Sequence, residues 1–264
     1  MVSSVPTISP AGARLPRIGE AAKAAWIDLY RVVRNLPRVW SVALAINIGL
    51  SVAALALGGN ARDSIGGWVV SLLITVANSF LLTPYIIAVH RLIVLDEVAP
   101  SYVLRPSEPR FQKFFGWSLV LWACRLGLVA VFAVLSAFLL PILAPKGGYV
   151  PALMILTTAF VFLFCWATVR LSILFPAIAV DAAGANWRNV IADTRGYAWR
   201  IFLIGLVASL PVVAMAIVLW SAVGRKNIVV IDEVIGLGSI TLLVVIASRL
   251  YQRLGNRVNQ PIAA

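Results

Sequence analysis

The stretch IFLIGLVASLPVVAMAIVLW, residues 201–220, runs for twenty residues without a charge. As a helix rising 1.5 Å per residue it covers about 30 Å, the thickness of a bilayer's hydrocarbon core. Arg195 and Arg200 flank it on one side, Arg225 and Lys226 on the other. The segment therefore predicts a membrane-crossing helix. Working outward, four further apolar runs have comparable length: 39–57, 68–89, 117–140 and 150–169. A sixth, 234–250, is shorter. Its uncharged part reaches only ~22 Å, between Asp232-Glu233 and Arg249, and Arg249 can extend it by reaching toward the headgroups.

Composition agrees. Hydrophobic residues make up 61% of the 264 and charged residues 12%, with mean hydropathy +0.96. A soluble domain needs about a quarter of its residues charged, so lipid must solvate most of this surface. The expected fold is all-α: a polytopic bundle of six spans, paired by short loops as three hairpins. Residues 19–255 form one transmembrane domain, with a flexible tail at 1–18 and another at 256–264. No apolar leader precedes Trp26, so no cleavable signal peptide is expected.

Basic residues set the orientation. Six lie before the first run, four after the second, four after the fourth and three after the last. The opposite loops hold only Arg62, Lys146, Arg225 and Lys226. Both termini are therefore expected in the cytoplasm. Trp40, Trp68, Trp117 and Trp220 fall at span ends, where an indole prefers the interface. The abundance of alanine, and of arginine over lysine, suggests a GC-rich bacterial genome and so a bacterial inner membrane. The net charge of +12 is dispersed singly through loops, which argues against nucleic acid.

A segment at the cytoplasmic side precedes each hairpin. Residues 20–36 predict an amphipathic helix: Ala22, Ala25, Trp26, Leu29, Val33 and Leu36 share one face. Glu20, Lys23, Asp28, Arg31 and Arg34 share the other. Before the third hairpin, Trp187, Val190, Ile191, Thr194 and Ala198 cluster in the same way. Aligned without gaps, Ala24, Trp26 and Arg34 fall on Ala185, Trp187 and Arg195, and PYIIAV from Pro84 matches PAIAV from Pro176. The middle segment, RPSEPRFQKFFGW, fits poorly, which makes the internal repeat a degenerate one. Trp26, Arg31, Arg34, Trp187, Arg188 and Arg195 are the residues expected at the membrane surface. There they either engage anionic lipid or serve helices that only connect spans.

The segment GANWRNVIADTRGYAWRIF resembles the cytoplasmic foot of a broad group of bacterial integral membrane proteins, similar to the membrane domain attached to some glycerophosphodiester phosphodiesterases. The resemblance covers Pro84 to Phe202 through spaced Trp, Thr, Gly and Arg, and implies a multi-span membrane domain built of repeated hairpins. It does not imply the phosphodiesterase activity, whose catalytic domain is a separate soluble barrel. His90-Arg91 is similar to the His-Arg pair of that barrel but lacks its acidic companions.

No catalytic constellation is visible. The chain has one histidine and two cysteines, Cys124 and Cys165, without metal-ligand spacing. It lacks a phosphate loop, a dinucleotide fingerprint and a nucleophile elbow. No catalytic residue, cofactor or metal is expected. Three features could still carry chemistry. Arg125 and Arg170 lie at matching depth on neighbouring antiparallel spans, each with a tryptophan one turn away, Trp122 and Trp166. They either clasp an anion or extend separately to the headgroups. Ser71, Thr75, Asn78, Ser79, Thr83 and His90 form a polar stripe on the second span, which serves helix packing or a path to His90. Asp232-Glu233 reads as stabilising a helix start or as an outward-facing cation site.

The chain is thus expected to be a non-catalytic scaffold, accessory subunit or lipid-interacting organiser of the inner membrane, with anionic lipids and membrane proteins as partners. The alternative is a transporter or flippase-like carrier of an anionic lipid or metabolite.

Overall fold

The computed structural model describes residues 15–58, 65–143, 149–222 and 228–260. Arg62, Lys146, Arg225, Lys226, most of the first tail and the last four residues lie outside them, as does the side chain of Trp166. The described residues form helices α1 (Ile18–Asn35), α2 (Pro37–Gly58), α3 (Ile65–Leu95), α4 (Pro109–Leu143), α5 (Tyr149–Val169), α6 (Leu174–Ala179), α7 (Trp187–Asp193), α8 (Ala198–Ala222) and α9 (Ile228–Leu254). A 3-10 turn, Arg257–Asn259, follows. Among the described residues, strands are absent.

Five of these helices, α2, α3, α4, α8 and α9, are long and apolar enough to cross a membrane. Helices suit that solvent because every backbone hydrogen bond closes within the segment. Helix α5, 21 residues long, packs against α4 and α8. Consecutive long helices touch as α2 with α3, α4 with α5, and α8 with α9.

The sixth run departs from expectation. Helix α9 has 27 residues, about 40 Å of rise. Asp232 and Glu233 therefore sit in its second turn rather than ahead of it, and the helix-start explanation does not hold. Helix α9 is also the centre of the bundle, packed on α1, α2, α3, α6 and α8. Its most apolar window is 39% buried, while that of α4 has no buried residue, so the α4 face is left for lipid or a partner.

The core gathers at the end carrying α1, α6 and α7, called here the foot end. Helix α1 forms, and Ala22, Ala25 and Val32, with Leu36 just beyond it, are buried where it packs on α8 and α9, while Val33, expected on the apolar face, is exposed. Asp28, read as part of the polar face, is 2% exposed. The second foot is shorter. Helix α7 runs only seven residues, capped by the Asn186 side chain, which accepts from Asn189 N. The chain then turns through Gly196 at φ +83°, a conformation that glycine adopts without strain. Yet α2 starts at Pro37 and α8 at Ala198, separated by the same offset as Trp26 and Trp187.

The residues from 256 onward, expected to form a tail, are docked as far as 260. Val258 is fully buried. Asp193 accepts from the backbone N–H groups of Arg257 and Val258, and Gly184 N donates to Val258 O at 2.9 Å. A side chain at Gly184 would lie 2.6 Å from Arg257 O, so glycine is required there by the close approach of this turn.

Candidate functional sites

Charge at the foot end divides into two sets. The carboxylates are engaged internally. Asp28 takes both arms of Arg249, from Nε at 2.5 Å and from a terminal nitrogen at 2.9 Å. Arg31 pairs with Asp96, Arg91 with Glu97, and Arg110 with Asp181 and Glu108. Asp193 holds the C-terminal turn; burial pushes its carboxyl up from the ordinary value against the pull of those N–H donors and of Arg257. Glu20 is exposed. Arg17, Lys23, Arg34, Arg38, Arg105, Lys113, Arg188, Arg195 and Arg253 are exposed as well. The foot end therefore pairs most of its carboxylates, buried at Asp28 and exposed at Asp96, Glu97 and Asp181, and carries a further set of exposed basic residues.

The six residues expected at the membrane surface separate accordingly. Arg34, Arg188 and Arg195 belong to that exposed set, with Arg188 over the ring of the 45% exposed Trp187 at 5.4 Å. Arg31 is committed to Asp96. Trp26 is turned inward, its indole N–H donating to Ala208 O at 3.1 Å. That carbonyl lies beside the gap in the α8 ladder made by Pro211, which has no N–H to give.

The structure places Arg125 and Arg170 in different surroundings. Arg125 is exposed on α4, and Trp122 one turn earlier is half-buried. Arg170 follows the last residue of α5, where the helix breaks before α6. It donates to Ile191 O at 3.0 Å, and its own carbonyl lies 3.2 Å from the Thr194 hydroxyl, which has the nearer acceptor Val190 O at 2.8 Å. Its Nε is buried without a hydrogen bond among the described residues. Arg170 thus ties the α5–α6 break to the second foot.

His90, from the polar stripe of the second span, joins a polar seam between α3 and α9. Tyr85 and Thr241 hydroxyls lie 2.5 Å apart, and His90 Nδ1 lies 2.7 Å from Ser248 Oγ. The Thr241 and Ser248 hydroxyls also lie within hydrogen-bond distance of carbonyls of their own helix, Leu237 O and Val244 O. Thr75 and Thr83 bond back to carbonyls of their own helix, Ser71 O and Ser79 O. Tyr85, Thr241 and Ser248 escaped the sequence reading, because only helix pairing shows which hydroxyls face one another. The signal available was Thr241 and Ser248, seven apart on one helix face.

At the opposite end, a cavity of 490 Å³ opens between α2, α3 and α9, lined by Ser51, Trp68, Ser71, Asp232 and Glu233 among others. Glu233 accepts from Ser51 Oγ, and Asp232 accepts from Trp220 Nε1 at 2.5 Å. These hydrogen bonds, rather than a helix terminus, hold the two carboxylates. Among the described residues no three His, Cys, Asp or Glu side chains gather to ligate a metal.

No family model, curated protein or solved structure matches this chain.

Proposed function

We propose that this chain is a multi-pass protein of the bacterial inner membrane, with six spans in three hairpins and both termini cytoplasmic. In this reading it organises anionic lipid at the cytoplasmic leaflet without catalysing a reaction. One observation carries the reading. All the foot-end carboxylates but Glu20 are paired within the chain, while nine further basic residues from Arg17 to Arg253 are exposed. A set of that sign in water gains little from its own protein, but near an anionic surface each basic residue gains about 1 kcal/mol. Helix α5, long enough to span, supports the sixth crossing, and the excess of basic residues at the foot end supports the orientation. The resemblance to the membrane domain of glycerophosphodiester phosphodiesterases is consistent with a membrane role that needs no active site.

The test is lipid retention by the full chain. Purified into zwitterionic nanodiscs doped with phosphatidylglycerol or cardiolipin, it should enrich the anionic lipid, and salt should weaken the enrichment. Replacing Arg34, Arg188 and Arg195 together by Gln should lower the retention several-fold and leave the helix content intact. Equal retention of zwitterionic lipid would refute this function.

A second reading, a carrier of an anionic lipid or metabolite, draws on the interruption between α5 and α6 with Arg170 at its edge. Carriers place such breaks at their substrate sites. Efflux of a labelled anionic lipid from proteoliposomes, lost in Arg170→Gln, is the result this reading requires.

A further inference from the structure

A cavity of 280 Å³ lies between α3, α4, α6 and α9 in the foot half of the bundle. Phe114, Phe175 and Leu243 supply apolar wall, and the two phenyl rings sit 4.9 Å apart. Leu243 is 52% exposed, so the mouth opens sideways toward lipid. Three polar side chains line the space: His90, Ser118 and Ser172.

His90 is 1% exposed, and no carboxylate lines the cavity with it. Its imidazole is therefore uncharged and holds one proton. Nδ1 is engaged by Ser248 Oγ at 2.7 Å. The other nitrogen, Nε2, takes no part in that bond and offers a lone pair or a proton according to the tautomer. Ser118 Oγ donates to Phe114 O at 3.0 Å. Ser172 Oγ is buried with no hydrogen-bond partner among the described residues. The cavity thus presents one ring nitrogen and one hydroxyl outside those bonds, within apolar walls.

An anion finds no countercharge here. A hydroxyl both donates and accepts, so it serves Nε2 in either tautomer, and Ser172 as well. Water could do the same, but its share of volume is about 30 Å³, and these walls leave most of the space without polar partners. We infer that the cavity binds the uncharged hydroxyl headgroup of a membrane lipid, a quinol or a diacylglycerol, between His90 and Ser172. The volume, near the lower range of small-molecule pockets at about 300 Å³, accepts a headgroup while the chains remain in the bilayer. This site is independent of the exposed basic residues and involves no anionic lipid.

The experiment uses the full chain in phosphatidylcholine nanodiscs, titrated with a decyl benzoquinol kept reduced, with dioctanoylglycerol, and with the O-methylated form of each. Native mass spectrometry and thermal shift read the binding. At least one hydroxyl compound should bind, and its O-methyl form should bind about tenfold more weakly, the loss of one buried hydrogen bond. Which compound binds identifies the source of the hydroxyl. Ser172→Ala should weaken binding by about the same factor. Leu243→Trp, which fills the mouth and leaves the His90–Ser248 bond intact, should abolish it at unchanged helix content. Binding of neither compound, equal binding of hydroxyl and O-methyl forms, or undiminished binding to Leu243→Trp would each overturn the inference.

Discussion

Removing the guanidinium of Arg249 and removing the charge of Asp28 should have unequal effects, although the two form one ion pair. Asp28 is buried, its side chain 3% exposed, while that of Arg249 is 46% exposed. Arg249→Met leaves a carboxylate stranded inside the packing of α1 on α9. Breaking a buried pair in this way costs about 3–5 kcal/mol, and the half-exposed arginine puts the expected cost at the lower end, about 3 kcal/mol. Asp28→Asn leaves a neutral amide that still offers an oxygen to the guanidinium, and Arg249 can turn its head to water. The loss is then that of a charge-assisted hydrogen bond, about 1–2 kcal/mol. In the double variant no charge is buried, so it should be more stable than Arg249→Met alone. Equilibrium unfolding of the four proteins in one detergent, followed by tryptophan fluorescence, measures the coupling. Equal single effects that sum in the double variant would refute the claim that the buried carboxylate dominates.

Arg125→Gln and Arg170→Gln should sum in thermal stability, with the larger loss at Arg170, whose guanidinium holds Ile191 O; a double variant costing no more than one single would restore a shared anion. A reporter active only outside the cytoplasm should light up after Gly59, Gly147 or Arg225 and stay dark after Ser107 or the C-terminus; a bright C-terminal fusion would remove the sixth span. Asp193 carries a pH signature. Its carboxyl is raised by burial, so the folded state binds the proton more tightly than the unfolded state. The stability this contributes is complete below the ordinary carboxylate pKa and lost as pH rises through the folded value. Wild type should therefore lose thermal stability relative to Asp193→Asn as pH rises from about 3 to about 6, and a gap that moves the other way would contradict the assignment.

The membrane character of this chain was legible in the sequence because it depends on length and local composition alone. Twenty uncharged residues at 201–220 require lipid whatever they pack against, and the pattern of residues 20–36 requires a helix with one apolar face. The starts of α2 and α8 follow from local signals too, Pro37 at the one and Gly196 before the other. The sites were less legible. A polar residue's role depends on what stands opposite it, and helix pairing is a long-range property. Asp28 lies on the charged side of its own helix by sequence, and only the approach of α9 buries it against Arg249. Thr241 and Ser248 look like ordinary small residues until α3 brings Tyr85 and His90 to them. Asp232 and Glu233 read as a helix start because their charges interrupt an apolar run. The helix begins earlier, at Ile228, where Ser51 and Trp220 can supply hydrogen bonds from neighbouring helices. Solvent preference is a sum over residues along the chain and can be read from it; the partner of a buried polar group is set by the packing of distant segments, which the tertiary structure alone decides.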